Sequence, residues 1–385
     1  VPARGATRTV LGLAVLNIGL GVLMLVWTGR VGRRALIAVA AAAALVVVLI
    51  GAFAAPGATV EMAVQRTPHS RLVSMREGLR GTVTISEVPP MPVMAANARR
   101  PPLAPVAFGY RMIAVDGVDV AGTAPDLRTT QRMQAHVPLL LHGEPRRVLQ
   151  VGFGTGETTR EALRHAPEVM DVAEINPDVI MESRRWFPEF ASDGYRPIFT
   201  DARNFIRTTD RVYDVILNDS TYPGISGSSL LYSATHFANC RRRLAPDGVI
   251  STWLPIDLPP ESLRIILASF AEVFPSCSLW LPTNCWNKHA VLVGSMAPLG
   301  DPVARLAASD WPDEVVASLA ELGYDDPANL ASMLVLDARD IEALAAGSVL
   351  NSDDHPVLEY PARGVEVAGE VYWEESLRLI LERMG

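Results

Sequence analysis

The sequence predicts an α/β protein: a mostly parallel sheet with helices on both faces, preceded by a small β domain and by two transmembrane helices. Three observations carry this expectation. From about Arg146 to Ser295 strand-like and helix-like segments alternate, which is how a sheet covered by crossover helices reads. Before that stretch, RGTVTISEV and YRMIAVDGV alternate apolar and polar residues in the manner of short strands. Before those, two uncharged runs of about 20 residues each are long enough to cross a ~30 Å hydrocarbon core.

In chain order, residues 1–58 hold the two apolar runs, Thr9–Thr28 and Ala35–Ala55, joined by GRVGRR as a tight helical hairpin. A cleaved signal peptide fits poorly, because two runs stand in tandem and neither ends in a clear cleavage site. Arginines on the two sides nearly tie (Arg30, Arg33 and Arg34 against Arg4, Arg8, Arg66 and Arg71), so charge does not set an orientation. The chain begins at Val1, which leaves room for further spans upstream. Residues 59–145 form the β domain, with a turn at Asp116-Gly117 and a Pro-rich loop from Pro89 to Pro105. Residues 146–298 form the α/β domain: VLQVGF, VMDVAEI, YDVILND and GVISTWLP as strands, ETTREALRHA and PDVIMESRRWF as helices. Residues 299–385 are helical, with a turn at NSDDHP and a last helix near WEESLRLILERM.

Composition narrows the function. The chain has 385 residues, 34 basic and 42 acidic side chains, a net charge of −8 and 49% hydrophobic residues. An acidic balance argues against non-specific nucleic-acid binding. Three cysteines cannot make a disulfide framework or a zinc site by their spacing. His236, His289 and His355 are too scattered for a metal set, and GISGS lacks the strand-turn-helix setting of a nucleophile elbow.

One motif carries chemistry. The first strand of the α/β domain runs into Gly152-Phe153-Gly154-Thr155-Gly156 and then a helix. Glycines allow a sharp turn and close approach to a ligand, and the helix start offers free N–H donors. Glu174, 18 residues after Gly156, ends the second strand, where a carboxylate can accept ribose hydroxyls. Asp201-Ala202 ends the third strand and can meet an adenine edge, cap a helix, or both. This pattern alone fits NAD or S-adenosylmethionine.

Together the blocks HVPLLLHGEPRRVLQVGFGTGE, VAEINPDVI, TDARNFI and YDVILNDSTYPGISGSSLLYSATHF resemble the spermidine synthase (polyamine aminopropyltransferase) family. GTVTISEV and MIAVDGV resemble its N-terminal β domain, and LNSDDHPVLEYPA resembles the tail of bacterial members fused to membrane spans. The resemblance implies a Rossmann-like, class I methyltransferase-type domain. It implies decarboxylated S-adenosylmethionine as donor, 5′-methylthioadenosine as product and no metal. Because such donors are made in the cytosol, it places the catalytic domain on the cytoplasmic side of the bacterial inner membrane, with the lipid bilayer and a small-molecule substrate as partners and room for a homo-oligomer. Asp219 matches the family's catalytic aspartate, and Asp126 keeps an acidic position on the acceptor side. Gln131, Gln150 and His136 are further candidates beside the donor, though His136 reads equally well as a structural histidine. Trp253, Trp280 and Trp286 read as packing.

The sequence also departs from the family. Tyr222 stands where the gate loop has a second aspartate, and it reads either as an aromatic lid or as surface packing. Thr155 replaces the aspartate that holds the donor's ammonium, and Thr130 and Arg132 replace a tyrosine and a glutamate. These exchanges open a second reading, in which intact S-adenosylmethionine binds with its carboxylate near Arg132 and cyclises to a lactone plus methylthioadenosine. Intramolecular attack gains from effective molarity. A methyltransferase on the same fold and a non-catalytic nucleoside sensor are the remaining alternatives.

Overall fold

The computed structural model describes residues 6–27, 32, 37, 41, 43, 45, 70–90, 109–225, 227–284, 287–359 and 369–383. Its first element is the helix α1 (Ala6–Trp27). Among the described residues no helix is long and apolar enough to cross a membrane, which corrects the expectation of two transmembrane helices. The 22 residues of α1 include Arg8, Asn17 and three glycines, and a span needs about 20 consecutive, predominantly apolar residues in one helix. In the second expected span only Ile37, Ala41, Ala43 and Leu45 are described, so most of that expectation lies outside the described residues. The expectation of an integral inner-membrane protein with a bilayer partner rests on those spans, and no described helix supports it.

Two compact units follow from the contacts: the described residues up to Pro89 with Ala114–Asp119, and the rest, Val120–Gly385 with Pro90–Ile113. In the first, β1 (Arg71–Gly78) and β2 (Gly81–Val88) form an antiparallel hairpin whose register runs from Arg71 opposite Glu87 to Gly78 opposite Gly81. Val83 and Ile85 are fully buried on β2. Asp116 and Gly117 both have positive φ, 51° and 80°, the backbone of a type I′ turn. That turn joins β3 (Tyr110–Val115) to β4 (Val118–Gly122), and the sheet order is β1-β2-β3-β4. The Asp116 carboxylate accepts the Thr82 N–H at 2.8 Å.

The second unit opens with α2 (Pro125–His142), which lies inside the stretch read from sequence as short β. Pro125 sits at its start, where a missing N–H costs nothing, and Gly143 at φ +94° ends it. The large sheet has eight strands in the order β12-β10-β11-β9-β8-β5-β6-β7. Its parallel part is β5 (Arg147–Val151), β6 (Val169–Glu174), β7 (Arg196–Phe199), β8 (Tyr213–Asn218) and β9 (Leu244–Pro255). Between them run α3 (Glu157–Leu163), α4 (Pro177–Trp186), α5 (Ala202–Thr208) and α6 (Ala234–Arg241), with α7 (Pro260–Ala271) after β9. β10 (Ser276–Trp280), β11 (His289–Ser295) and β12 (Leu334–Leu336) extend the sheet antiparallel.

Period-2 alternation sorts these strands into two faces. Leu149, Ile216 and Ile250 share one face and pack with Phe237 of α6 and Phe270 of α7. Gln150 and Ser251 share the other, where Ser251 Oγ donates to the Gln134 carbonyl of α2 at 3.1 Å and Gln150 accepts from Thr159 of α3 at 2.8 Å. Among the described residues after β11 stand β12 and the helices α8 (Pro302–Ala308), α9 (Asp313–Ala320), α10 (Pro327–Ala331), α11 (Ala338–Ala345) and α12 (Gly369–Leu381).

Candidate active site

Strand register assembles the site. Val151 lies opposite Ala173 on β6 and opposite Asn218 on β8, and Asn218 lies opposite Thr252 on β9. The residues that follow, Gly152, Glu174, Asp219 and Trp253, therefore emerge side by side at the carboxyl edge of four adjacent parallel strands. Chain order runs outward from β5 through β6 to β7, then restarts at β8 on the other side of β5. Such a switch point opens a crevice at the strand ends, where α/β sheets take their ligands.

The loop after β5 is shaped by glycine. Gly152, Gly154 and Gly156 have φ of +82°, +57° and +89°. A Cβ on Gly152 would stand 2.5 Å from the Asp219 carbonyl oxygen. Only glycine permits this loop and the β8 end to lie so close. The buried Glu174 carboxylate clamps the loop, accepting the Phe153 N–H at 3.0 Å and the Asn176 N–H at 2.7 Å. Burial pushes its pKa up despite these bonds. Thr155 Oγ1 donates to Gln131 Oε1 at 2.9 Å, and Gln131 Nε2 donates to the Gly122 carbonyl at 2.9 Å. These bonds tie α2 to the glycine loop.

Asp219 receives one described side-chain donor, the Thr158 hydroxyl of α3 at 2.9 Å. Desolvation raises its carboxyl from the ordinary 3.8 to about 6, and the Thr158 bond offsets only part of this. A carboxylate so placed accepts a proton readily near neutral pH. Asp201, two residues beyond the end of β7, caps α5 by accepting the Asn204 N–H at 2.8 Å, with Ala202 as the first helical residue.

The spermine/spermidine synthase domain model matches residues 128–283, the stretch that contains this edge. Over these residues the chain is similar to the spermine/spermidine synthase domain. The polyamine aminopropyltransferase of Shigella boydii is 38% identical over 149 residues, 37% of this chain and 51% of that protein. That of Klebsiella pneumoniae strain 342 is 40% identical over the same shares. The chain thus spans about half the length of the curated relatives it matches. Among solved structures, the spermidine synthase of Thermotoga maritima superposes with a TM-score of 0.54 at 21% identity, over 71% of this chain and 87% of that one. A spermidine synthase bound to the transition-state analogue AdoDATO gives 0.54 at 22%, over 71% and 88%. At these identities the likeness is one of fold, and it bears out the Rossmann-like expectation.

The other expected residues go to different places. Arg132 is buried and fully engaged: Nε meets Glu157 at 3.1 Å, Nη1 donates to the Ser318 carbonyl at 2.9 Å, and Nη2 meets Glu321 at 2.7 Å. His136 lies with His165 (3.0 Å), Ser318 (3.2 Å) and Glu161 (3.2 Å), a cluster joining α2, α3 and α9. Burial lowers the His136 pKa, against the opposing pull of the Glu161 carboxylate. Gln150 faces Thr159 within the sheet, and its amide nitrogen has no partner among the described residues. Asp126 does come to the strand edge, with a carboxylate oxygen 3.9 Å from His289. His289 tilts against Trp253 at 5.5 Å between ring centroids, and burial lowers its pKa to about 4. Tyr222 donates its hydroxyl to the Asp257 carbonyl at 3.1 Å.

Thr158, Asp257 and His289 are the site neighbours that sequence reading missed as such. Thr158 carries no signal beyond helical spacing, and His289 was legible only as an isolated histidine. Trp280 is buried in the sheet, whereas Trp286 lies outside the described residues. No group of three or more His, Cys, Asp or Glu able to hold a metal occurs among the described residues.

Proposed function

We propose that the chain is an aminopropyltransferase that uses decarboxylated S-adenosylmethionine as donor and a small amine as acceptor. The observation that carries the reading is Asp219: a carboxylate raised to about 6, standing at the switch point beside Gly152 and Glu174. Similarity to polyamine aminopropyltransferases over residues including this edge supports the donor and acceptor classes.

In this reading the glycine loop and Glu174 hold the nucleoside. The Glu174 carboxylate stands where it can accept ribose hydroxyls beside the backbone N–H groups it already meets. Asp201 and Ala202 meet the adenine. The acceptor nitrogen attacks the methylene attached to the sulfonium, a new N–C bond forms, the S–C bond breaks, and the electron pair leaves with sulfur as methylthioadenosine. Asp219 accepts the proton that the attacking nitrogen must lose. The sulfonium is a good leaving group, so alignment supplies most of the acceleration.

Cyclisation of intact S-adenosylmethionine loses its anchor, because the Arg132 charge is already met by Glu157 and Glu321. Asp219→Asn tests the assignment. With decarboxylated donor and 1,4-diaminobutane, methylthioadenosine release should fall by at least ~10²-fold, the usual worth of a general base, while calorimetric affinity for methylthioadenosine stays within about twofold. Unchanged turnover would remove Asp219 from the chemistry.

A further inference from the structure

A helix outside the matched domain grips the helix that follows the glycine loop. α9 (Asp313–Ala320) lies beyond the matched residues 128–283. Its Ser318 is 2% exposed and is bonded to both α2 and α3. The hydroxyl donates to Glu161 Oε2 of α3 at 2.6 Å. With its one proton committed, the oxygen can only accept, so His136 Nε2 at 3.2 Å and Arg132 Nη1 at 3.4 Å, both of α2, donate to it. The Ser318 main-chain carbonyl accepts from Arg132 Nη1 at 2.9 Å. Glu321, at the end of α9, meets Arg132 Nη2 at 2.7 Å.

Ser318 thus holds α3 at two points. Its hydroxyl takes Glu161 directly. Its carbonyl fixes Arg132, whose Nε meets Glu157, the first residue of α3, at 3.1 Å. Both glutamates are fully buried. Burial works to raise the Glu161 carboxyl, yet the His136 and Ser318 bonds and the Arg160 charge bring it below its ordinary value. A buried carboxylate is costly to part from its partners, so α3 stays where these donors stand. The same short helix carries chemistry. Gly156 of the glycine loop is its N-cap. Thr158, one turn before Glu161, donates its hydroxyl to Asp219 at 2.9 Å. Bonds of this kind span ~2.5–3.0 Å, so α3 has little room to move before this one is lost.

We propose that Ser318, helped by Glu321, is a positioning residue for the transfer reaction: it fixes where α3 stands and so keeps Thr158 against Asp219. The inference rests on the aminopropyl-transfer reading and adds to it a segment outside the matched domain.

The test follows methylthioadenosine release against pH for the full chain with decarboxylated S-adenosylmethionine and 1,4-diaminobutane. The Thr158 bond lowers the Asp219 pKa against burial, so losing that bond moves the midpoint of kcat/KM to higher pH. The Tyr232 phenol also feels the Asp219 charge, but burial lifts it away from this range. Thr158→Val gives the full displacement. Ser318→Ala should move the midpoint the same way and lower kcat at neutral pH by about tenfold, the consequence of a misplacement smaller than 1 Å. The double variant Ser318→Ala/Thr158→Val should show the Thr158→Val midpoint and no further rise. Ser318→Thr, which keeps the hydroxyl, should restore the wild-type midpoint. A lower melting temperature with an unmoved midpoint would make Ser318 structural only and overturn the proposal, as would a double variant displaced beyond Thr158→Val. If Ser318→Ala does not fold, Glu321→Gln decides. The Glu321 side chain is 64% exposed, so its exchange loosens the same clamp from outside and must raise the midpoint; an unmoved midpoint refutes the assignment. Wild type that releases no methylthioadenosine defeats the transferase reading instead. The Asp219 carboxyl, titrated by carbon NMR and assigned through Asp219→Asn, then carries the same comparison without turnover.

Discussion

Gly152→Ala probes the close approach on which the site depends. Two costs add. Alanine at φ +82° occupies a left-handed backbone region that costs a non-glycine residue about 1–2 kcal/mol. The new Cβ would stand 2.5 Å from the Asp219 carbonyl oxygen, where ordinary heavy-atom contacts lie near ~3.5 Å. Loop and strand end must then part by about 1 Å, at an overpacking cost of about 1–3 kcal/mol. The sum is about 2–5 kcal/mol of stability. A 1 Å misplacement of reacting groups costs on the order of 10²-fold in rate. Gly143→Ala is the control, because its φ is +94° with nothing within 4 Å of a built Cβ. It pays the backbone cost alone, far from the strand edge. Urea titration and methylthioadenosine release measured on both variants separate the two effects. If Gly152→Ala matches Gly143→Ala in both stability and rate, the reasoning about loop and strand contact is wrong.

Other expectations follow from the same geometry. Because burial raises Asp219 from 3.8 to about 6, the folded chain keeps a proton between those values that the unfolded chain has released. Stability therefore falls as pH rises through that window, and above it the charged form costs up to about 3 kcal/mol. Asp219→Asn should melt higher than wild type at pH 7 and level with it at pH 3.5, and lower melting at pH 7 would contradict this. In wild type, kcat/KM should rise with pH through about 6, and a flat profile would show that Asp219 does not gate the reaction. Arg132→Met should cost about 3–5 kcal/mol in urea titration, because it strips a partner from the buried Glu157; a loss below about 1 kcal/mol would mean that Arg128 alone suffices.

The parts of the site that were legible in the sequence are local. A glycine loop, Glu174 and Asp219 each mark a strand end, and parallel pairing brings strand ends together without further instruction. The contacts of Arg132 and His136 were not legible, because periodicity names a helix face but not what covers it. Their cover is Ser318, 186 residues from Arg132, on a helix that carries no motif. The helix α2 itself was hidden by Thr129, Thr130 and Pro138, all poor helix formers. The fold accommodates the threonines by letting their hydroxyls donate to the Pro125 and Asp126 carbonyls at 2.8 and 2.9 Å, and it buries residues 129–141. The apolar runs near the start were read by composition, which measures hydrophobicity but not whether a continuous helix of spanning length forms.

Product identity tests the central claim most directly. The purified chain is given decarboxylated S-adenosylmethionine with and without 1,4-diaminobutane, and intact S-adenosylmethionine in parallel, and the products are identified by mass spectrometry. The account predicts methylthioadenosine together with an aminopropylated diamine, formed only when both decarboxylated donor and amine are present. S-adenosylhomocysteine, or methylthioadenosine with a lactone formed from the intact donor without amine, would contradict it.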